Sequence, residues 1–119
     1  MKKILVVDDD PGMVDLLRSR LAANQYQIVT ASNGEEAELR VEAEKPELIV
    51  VDIKMPKMDG WTFVRKVRRE EISKNTPIII MTAYANMQDL FAVEGINDYI
   101  VKPFKAEELL EKIKRHEVE

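Results

Sequence analysis

Acidic and polar side chains follow short apolar runs at separate places in the chain. Asp8 and Asp9 follow one run, Asp52 follows a second, Thr82 a third and Lys102 a fourth. Carboxylates that lie together repel one another and titrate as a coupled set, so they need a positive partner. Lysine supplies one charge, and a hard cation bound by carboxylate, water and phosphate oxygens supplies two more. These residue types therefore predict a site for Mg²⁺, or Mn²⁺ in its place, together with an oxyanion.

These side chains can meet only if the runs before them are neighbouring strands of one sheet. Short apolar runs that are bounded by turn residues and alternate with stretches of helical periodicity predict buried strands and covering helices. The predicted strands are 4–7, 27–30, 48–51, 78–81 and 99–101. Predicted helices begin at 11, 32–36 and 60, span about 86–94, and end near 116.

Five alternations of strand and helix predict an α/β fold with a parallel sheet and helices on both faces. The first and third strands are strongly apolar and belong in the middle, so the expected strand order is 2-1-3-4-5. This is a doubly wound, flavodoxin-like (βα)5 architecture with three α/β/α layers. In such a sheet, ligands bind at the carboxyl ends of the strands, where the acidic residues lie.

Local signals mark where the first two helices begin. Asp10 followed by Pro11 is typical of an N-cap and a first helical position. Ser32 followed three residues later by Glu35 predicts a capping box at the start of the second helix.

The composition limits the class of protein. The 119 residues suffice for one domain with a real core, and cysteine is absent, which excludes disulfides and thiolate metal sites. A net charge of −4 without a block of like charges does not favour direct nucleic acid binding. No apolar run approaches the ~18 residues of a membrane span, so no membrane insertion is expected. The expected location is cytoplasmic.

Five motifs occur in a fixed order along the chain. They are Asp8-Asp9, the Asp52 run with Met55-Pro56, Asp59-Gly60, Thr82-Ala83, and Asp98 through Phe104. Together they resemble the receiver domain of two-component response regulators, and the resemblance covers residues 2 to about 114. It implies that residues 1–119 are a receiver domain without an output domain.

The resemblance also implies a reaction. Asp52 would accept a phosphoryl group from a histidine kinase or a histidine phosphotransfer protein and form an aspartyl phosphate. Asp9 would bind Mg²⁺ directly and Asp8 largely through water, with Asp52 and the backbone carbonyl of Lys54 as further ligands. Lys102 would pair with a phosphoryl oxygen. The chain would thus be a signalling phosphoacceptor that catalyses only its own phosphorylation and dephosphorylation.

Other residues receive supporting roles from the same resemblance. The Thr82 hydroxyl and backbone N–H groups near Ile53 and Ala83 would bind the remaining phosphoryl oxygens. Tyr99 is either a core residue or an aromatic switch that moves inward as Thr82 closes on the phosphoryl group.

A further set of residues is expected to shape loops near the site. Pro56, Asp59 and Gly60 would form the loop after the third strand and the start of the third helix. The resemblance implies a cis peptide bond between Lys102 and Pro103, and proline is the residue that makes cis geometry accessible.

The expected partners bind two different surfaces. By resemblance, the fourth helix, fifth strand and fifth helix form the face that binds an output domain, a downstream protein or a second copy in a homodimer. The kinase or phosphotransfer protein would dock near the first helix and the loop at 103–104. Met13 and Val14 are candidate contacts or core residues, and Leu17 is expected in the core.

His116 is the only histidine, and its place at the chain end does not favour a phosphodonor role, so the donor belongs to a partner.

Two alternatives remain open. One is a degenerate receiver that acts as a docking module, a class that usually loses the acidic pair, the acceptor or the lysine. The other is a phosphatase of the haloacid dehalogenase type, for which Asp8 and Asp10 fit an Asp-x-Asp motif. Gly12 stands where that motif has Thr or Val, and the chain is too short for a substrate cap.

Overall fold

Five parallel strands form one sheet in the order β2-β1-β3-β4-β5, as the sequence predicted. The structure is a computed structural model that describes residues 2–52, 60–82 and 96–116. The strands are β1 Lys2–Val7, β2 Tyr26–Ala31, β3 Leu48–Asp52, β4 Ile78–Thr82 and β5 Asp98–Val101. Each strand agrees with its predicted run to within about two residues, which is where strand ends are hardest to place from sequence.

Four helices cover the sheet within the described ranges. They are α1 Pro11–Ala22, α2 Gly34–Glu44, α3 Gly60–Arg69 and α4 Ala106–Arg115. The helix predicted at about 86–94 lies outside the described residues, so α4 here denotes the last helix of the chain. None of the helices in these ranges combines the length and the apolar character that crossing a membrane requires.

The alternation of side chains along each strand builds two cores. Leu5 and Val7 of β1 point to the face covered by α2 and α3, where Phe63 is fully buried. Ile4 and Val6 point to the opposite face, which α1 and α4 cover. Because successive strand residues face opposite sides, a strand buried on both faces must be apolar throughout. The three-layer architecture follows, as predicted.

The start of α2 differs from the predicted capping box. Asn33 is the N-cap, and its side chain accepts a hydrogen bond from the Glu36 backbone N–H at 2.8 Å. The Ser32 backbone N–H instead donates to the Glu36 carboxylate at 3.3 Å. The Ser32 prediction was therefore wrong by one residue, because asparagine caps helices as well as serine does and Gly34 fits the buried first position.

Arg68 ties the end of α3 to the beginnings of β4 and β5. Its guanidinium donates to the backbone carbonyls of Thr76 at 2.8 Å and Lys74 at 3.2 Å, and to the Asn97 side-chain oxygen at 3.1 Å. The same Asn97 oxygen accepts a hydrogen bond from the Ile78 backbone N–H at 2.9 Å. The Arg68 guanidinium, a planar group with several donors, thus fixes the first residues of β4 and β5. Thr82 and Lys102 lie at the opposite ends of these two strands.

Asp98 anchors α4 to β5. Its carboxylate lies 3.1 Å from Lys112 Nζ and 3.0 Å from His116 Nε2, and it accepts a hydrogen bond from the Tyr99 backbone N–H at 2.8 Å. Burial raises the pKa of Asp98, but the hydrogen bonds from His116 and Lys112 outweigh it, so the pKa lies below its usual value. His116, which the sequence left without a role, helps to secure α4.

We expect Arg68→Lys to lower the free energy of unfolding by about 1–3 kcal/mol, because a single ammonium cannot bond all of these oxygens. Arg69→Lys, at the exposed neighbouring position, should change it little. Urea unfolding of both variants measures the difference. Equal stability of the two variants would show that the Arg68 contacts contribute nothing.

We expect Asp98→Asn to lower the free energy of unfolding at neutral pH by about 1–2 kcal/mol. Because folding depresses the pKa of Asp98, its contribution is present above the unfolded value of 3.8 and is lost as the pH falls toward the folded pKa. The gap between wild type and variant should therefore narrow below about pH 4. Asp15→Asn, on the exposed side of α1, is the matched control. A difference in free energy of unfolding between wild type and Asp98→Asn that does not change with pH would contradict this explanation.

Candidate functional site

The carboxyl ends of β1, β3, β4 and β5 meet at one edge of the sheet. Asp52 and Thr82 are the last residues of β3 and β4, and Lys102 follows β5. The strand register places Val7 of β1 beside Val51 of β3, so Asp8, which follows Val7, lies beside Asp52. The residues that the sequence singled out at strand ends therefore share one edge.

Three of these residues form a carboxylate cluster. Asp8, Asp9 and Asp52 each offer one oxygen, and these oxygens lie within 4.8 Å of one another. Asp8 is 1% exposed and Asp52 is 8% exposed, whereas Asp9 faces solvent. Burial raises the pKa of Asp8, and the nearby Asp52 charge adds to this effect. Hydrogen bonds from the Asp10 backbone and from Lys102 lower the pKa of Asp8, but burial outweighs them and the pKa stays above its usual value.

Lys102 joins the two buried carboxylates. Its Nζ lies 2.9 Å from Asp52 Oδ2 and 3.1 Å from Asp8 Oδ2. Burial lowers the pKa of Lys102, but the hydrogen bonds to Asp52 and Asp8 outweigh burial and raise it above its usual value. The amine is therefore held as an ammonium, which is the state that can attract a further anionic group.

Hydrogen bonds in the turn after β1 fix the side chains of Asp8 and Asp10. The Asp8 backbone N–H donates to the Ala31 carbonyl at 3.1 Å, and Asp8 Oδ1 accepts from the Asp10 backbone N–H at 3.0 Å. The Asp10 side chain turns away from the cluster and caps α1 by accepting from the Gly12 backbone N–H at 2.9 Å. The capping role predicted for Asp10 is confirmed.

The donor set of the cluster fits a hard divalent cation. Three carboxylates counted as anions and one ammonium give a formal charge of −2, which is the sum of −3 and +1. Carboxylate oxygens are the ligands that Mg²⁺ takes in proteins, and Mg²⁺ keeps several water molecules when few protein ligands are present. The exposed position of Asp9 leaves room for those waters at the open side of the cluster.

Thr82 and Tyr99 lie on the strands beside the cluster. Thr82 is 1% exposed, and its backbone carbonyl accepts a hydrogen bond from the Lys102 backbone N–H at 2.6 Å. Tyr99 is half-buried against the core that α2 and α3 cover, so core packing accounts for part of its ring. The Lys102–Pro103 peptide bond is cis, which confirms that prediction.

Several predicted site residues lie outside the described residues. They are the loop residues Ile53, Lys54, Pro56 and Asp59 and the residue after β4, Ala83. Gly60 is described, and it is the buried first residue of α3. Three roles therefore stay predictions: metal binding by the Lys54 backbone carbonyl, the N–H contacts of Ile53 and Ala83 to the phosphoryl group, and the shaping of the loop by Pro56 and Asp59.

Sequence reasoning missed two contacts that hold the site. It predicted that Lys102 offsets the carboxylates and binds a phosphoryl oxygen, but it did not identify which oxygens the ammonium contacts, because that depends on side-chain direction rather than on spacing. It also missed the anchoring of Asp98 by α4. The spacing of Lys112 and His116, four residues apart on one helical face, was a signal for a shared partner.

Comparison with known families and relatives identifies the chain. The response regulator receiver domain model matches residues 4–114. The transcriptional regulator PhoP of Bacillus subtilis is 41% identical over 115 residues, covering 95% of this chain and 47% of that protein. The probable transcriptional regulator ycf27 of Pyropia yezoensis is 43% identical over 115 residues, with 95% and 46% coverage. The chain thus spans about half the length of the curated relatives it matches.

Solved structures agree in fold. The chemotaxis response regulator CheY4 of Vibrio cholerae superposes with a TM-score of 0.92 at 32% identity, covering 97% of this chain and 98% of that one. The response regulator TrrA of Thermotoga maritima, solved in complex with Mg²⁺ and BeF, gives a TM-score of 0.86 at 37% identity, with the same coverage. With the acidic cluster at the carboxyl edge of a 2-1-3-4-5 sheet, these matches show that the chain belongs to the receiver domains of two-component response regulators.

Proposed function

We propose that this chain is a phosphorylation-controlled switch in which Asp52 accepts a phosphoryl group from the phosphohistidine of a histidine kinase or phosphotransfer protein. One observation carries the proposal. The Asp52 carboxylate ends a fully buried strand with an ammonium 2.9 Å away and two further carboxylates beside it. Phosphoryl transfer depends mainly on positioning and on charge stabilisation, and this arrangement supplies both.

Asp52 is the nucleophile of the proposed transfer. One of its carboxylate oxygens forms a bond to phosphorus as the phosphorus–nitrogen bond to the donor histidine breaks. The electron pair of the broken bond stays on the imidazole of the partner. His116 is the only histidine of this chain and is held by Asp98 at 3.0 Å, which supports a donor that belongs to another protein.

Asp8, Asp9 and Asp52 would hold Mg²⁺ at the sheet edge, with the Lys54 backbone carbonyl as the ligand that the resemblance adds. Asp9 is the exposed member of the cluster and suits direct binding. Asp8 is fixed by the Asp10 backbone and suits binding through water. The chemistry that Mg²⁺ supplies when bound is neutralisation of the charges on the acceptor and on the phosphoryl oxygens.

Lys102 and Thr82 would bind the transferred phosphoryl group. Lys102 already contacts an Asp52 oxygen, so a phosphoryl group placed there would lie within reach of its ammonium. Thr82 ends the neighbouring strand and would offer its hydroxyl, while the N–H groups of Ile53 and Ala83 would take the other oxygens. Hydrolysis by the same residues would make the chain its own phosphatase.

The phosphoryl group would add about −1.5 to −2 units of charge beside Asp52. Thr82 and Tyr99 lie on β4 and β5, and we propose that they reorient together to report this charge. The readout face would include β5 and α4 with the segment 86–94, where an output domain, a downstream protein or a second copy would bind. This is a bistable element that a local charge biases.

The phosphodonor would dock beside α1. Met13 and Val14 are half-buried there, and Phe104 and Met13 both pack against the core beneath α1 and α4. Leu17 is fully buried, which confirms its place in the core. Leu16 is 44% exposed on the same helix and offers an apolar contact that the sequence did not single out.

The two alternatives are less well supported. A docking module does not require an acceptor, an acidic pair and a lysine at contact distance, and this chain retains all of them. A haloacid dehalogenase would need Asp10 at the reacting centre, but Asp10 caps α1. We also propose that residues 1–119 act as the regulatory unit, with output delivered by another domain or protein.

Incubation with Mg²⁺ and phosphoramidate should add one phosphoryl group to the wild-type chain, because Asp52 is placed as the nucleophile. Intact mass spectrometry measures the gain. Asp52→Ala should show none, whereas Asp10→Asn, two positions beyond Asp8 but outside the cluster, should be phosphorylated normally. A gain that persists in Asp52→Ala, or no gain in the wild type, would refute the proposal.

A further inference from the structure

A groove opens between α2 and α3, on the face of the sheet away from α1 and α4. It encloses about 260 Å³ and continues over the turn that follows α3. Phe63, Val41 and Val67 form its apolar floor and are almost fully buried. Ile72 forms an apolar lip and is 50% exposed. None of these residues belongs to the phosphoacceptor site.

The rim of this α2–α3 groove is acidic. Glu38 and Glu42 line it from α2, and Glu70 lines it beyond the end of α3. Lys66 is the one basic residue of the lining, and it pairs with Glu38 at 3.4 Å across the two helices. In the described parts of the chain, Glu42 and Glu70 enter no ion pair. The rim therefore carries a formal charge of −2, the sum of three carboxylates and one ammonium.

The size of the groove indicates what could occupy it. Small-molecule pockets usually enclose roughly 300–1,000 Å³, and this one lies just below that range. Its volume suits one or two apolar side chains, which are the anchors that partner proteins insert into such sites. A short helix that presents apolar residues one turn apart would reach the floor, as in other helix-in-groove interactions.

We propose that the α2–α3 groove binds a short amphipathic, basic segment of a partner protein. The apolar side chains of that segment lie against the exposed Ile72 lip at the mouth of the groove, and its lysine or arginine side chains pair with Glu42 and Glu70. Since Lys66 already neutralises Glu38, the two carboxylates without an ion pair set the charge of the partner. This surface is separate from the sheet edge, so it recruits a partner whether or not Asp52 is phosphorylated.

The test uses a capped helical peptide with leucines one turn apart and flanking arginines, titrated into the whole ¹⁵N-labelled chain. Amide shifts should cluster on α2, on α3 and around Ile72. The Glu42→Lys/Glu70→Lys variant should bind about tenfold more weakly, because two rim attractions become repulsions. Glu71→Lys makes one such charge reversal at a neighbouring exposed position outside the groove and should bind normally.

Further measurements separate the contribution of charge to peptide binding from the contribution of apolar contact. The same peptide with glutamates in place of arginines should bind at least tenfold more weakly, and Ile72→Ser should weaken binding without unfolding the chain. Phenethylammonium, a small amphiphilic cation, should bind far more weakly than the peptide. The proposal would be overturned by amide shifts that map away from the groove, or by the absence of shifts. It would also be overturned if the glutamate peptide bound as tightly as the arginine peptide, or if phenethylammonium bound more tightly than the arginine peptide. None of these results depends on phosphorylation of Asp52.

Discussion

Two buried carboxylates share one ammonium group at the edge of the sheet, and the rest of the site depends on this arrangement. Asp8 and Asp52 are held close enough to repel each other, and Lys102 contacts both. A buried charge is tolerated only when it is paired and hydrogen-bonded. With Asp9 beside the pair, negative charge remains in excess. We infer that this excess draws a divalent cation, and that the lysine stays available to an incoming phosphoryl oxygen.

The fold holds this unfavourable cluster by packing both faces of the strands. Apolar side chains of β1 and β3 alternate between the core under α2 and α3 and the core under α1 and α4. Removal of either layer would expose one of these cores. Arg68 and Asp98 secure the opposite end of the sheet, where β4 and β5 begin. The strands are therefore fixed at both ends, which keeps Thr82 and Lys102 in register with Asp52.

The strand order and the site residues could be predicted because each depends on a local signal. Asp8, Asp52 and Lys102 follow short apolar runs, and a parallel sheet brings such positions to one edge. The sequence predicted that Lys102 offsets the carboxylates, but the individual oxygens that it contacts could not be predicted, since they depend on how a long side chain turns within the crevice. The Asn33 cap was missed because serine and asparagine serve equally well there. The α2–α3 groove depends on how two helices pack, which no spacing in the sequence encodes.

We propose that the Asp8, Asp9 and Asp52 cluster needs a divalent cation to balance its charge. Calorimetric titration with Mg²⁺ tests it most directly, in the wild type and in the Asp9→Asn and Asp10→Asn variants. The wild type and Asp10→Asn should bind one Mg²⁺ with similar affinity, because Asp10 caps α1 and lies outside the cluster. Asp9→Asn should bind at least about tenfold more weakly while remaining folded. Equal binding by Asp9→Asn and the wild type, or no binding by the wild type, would contradict the account.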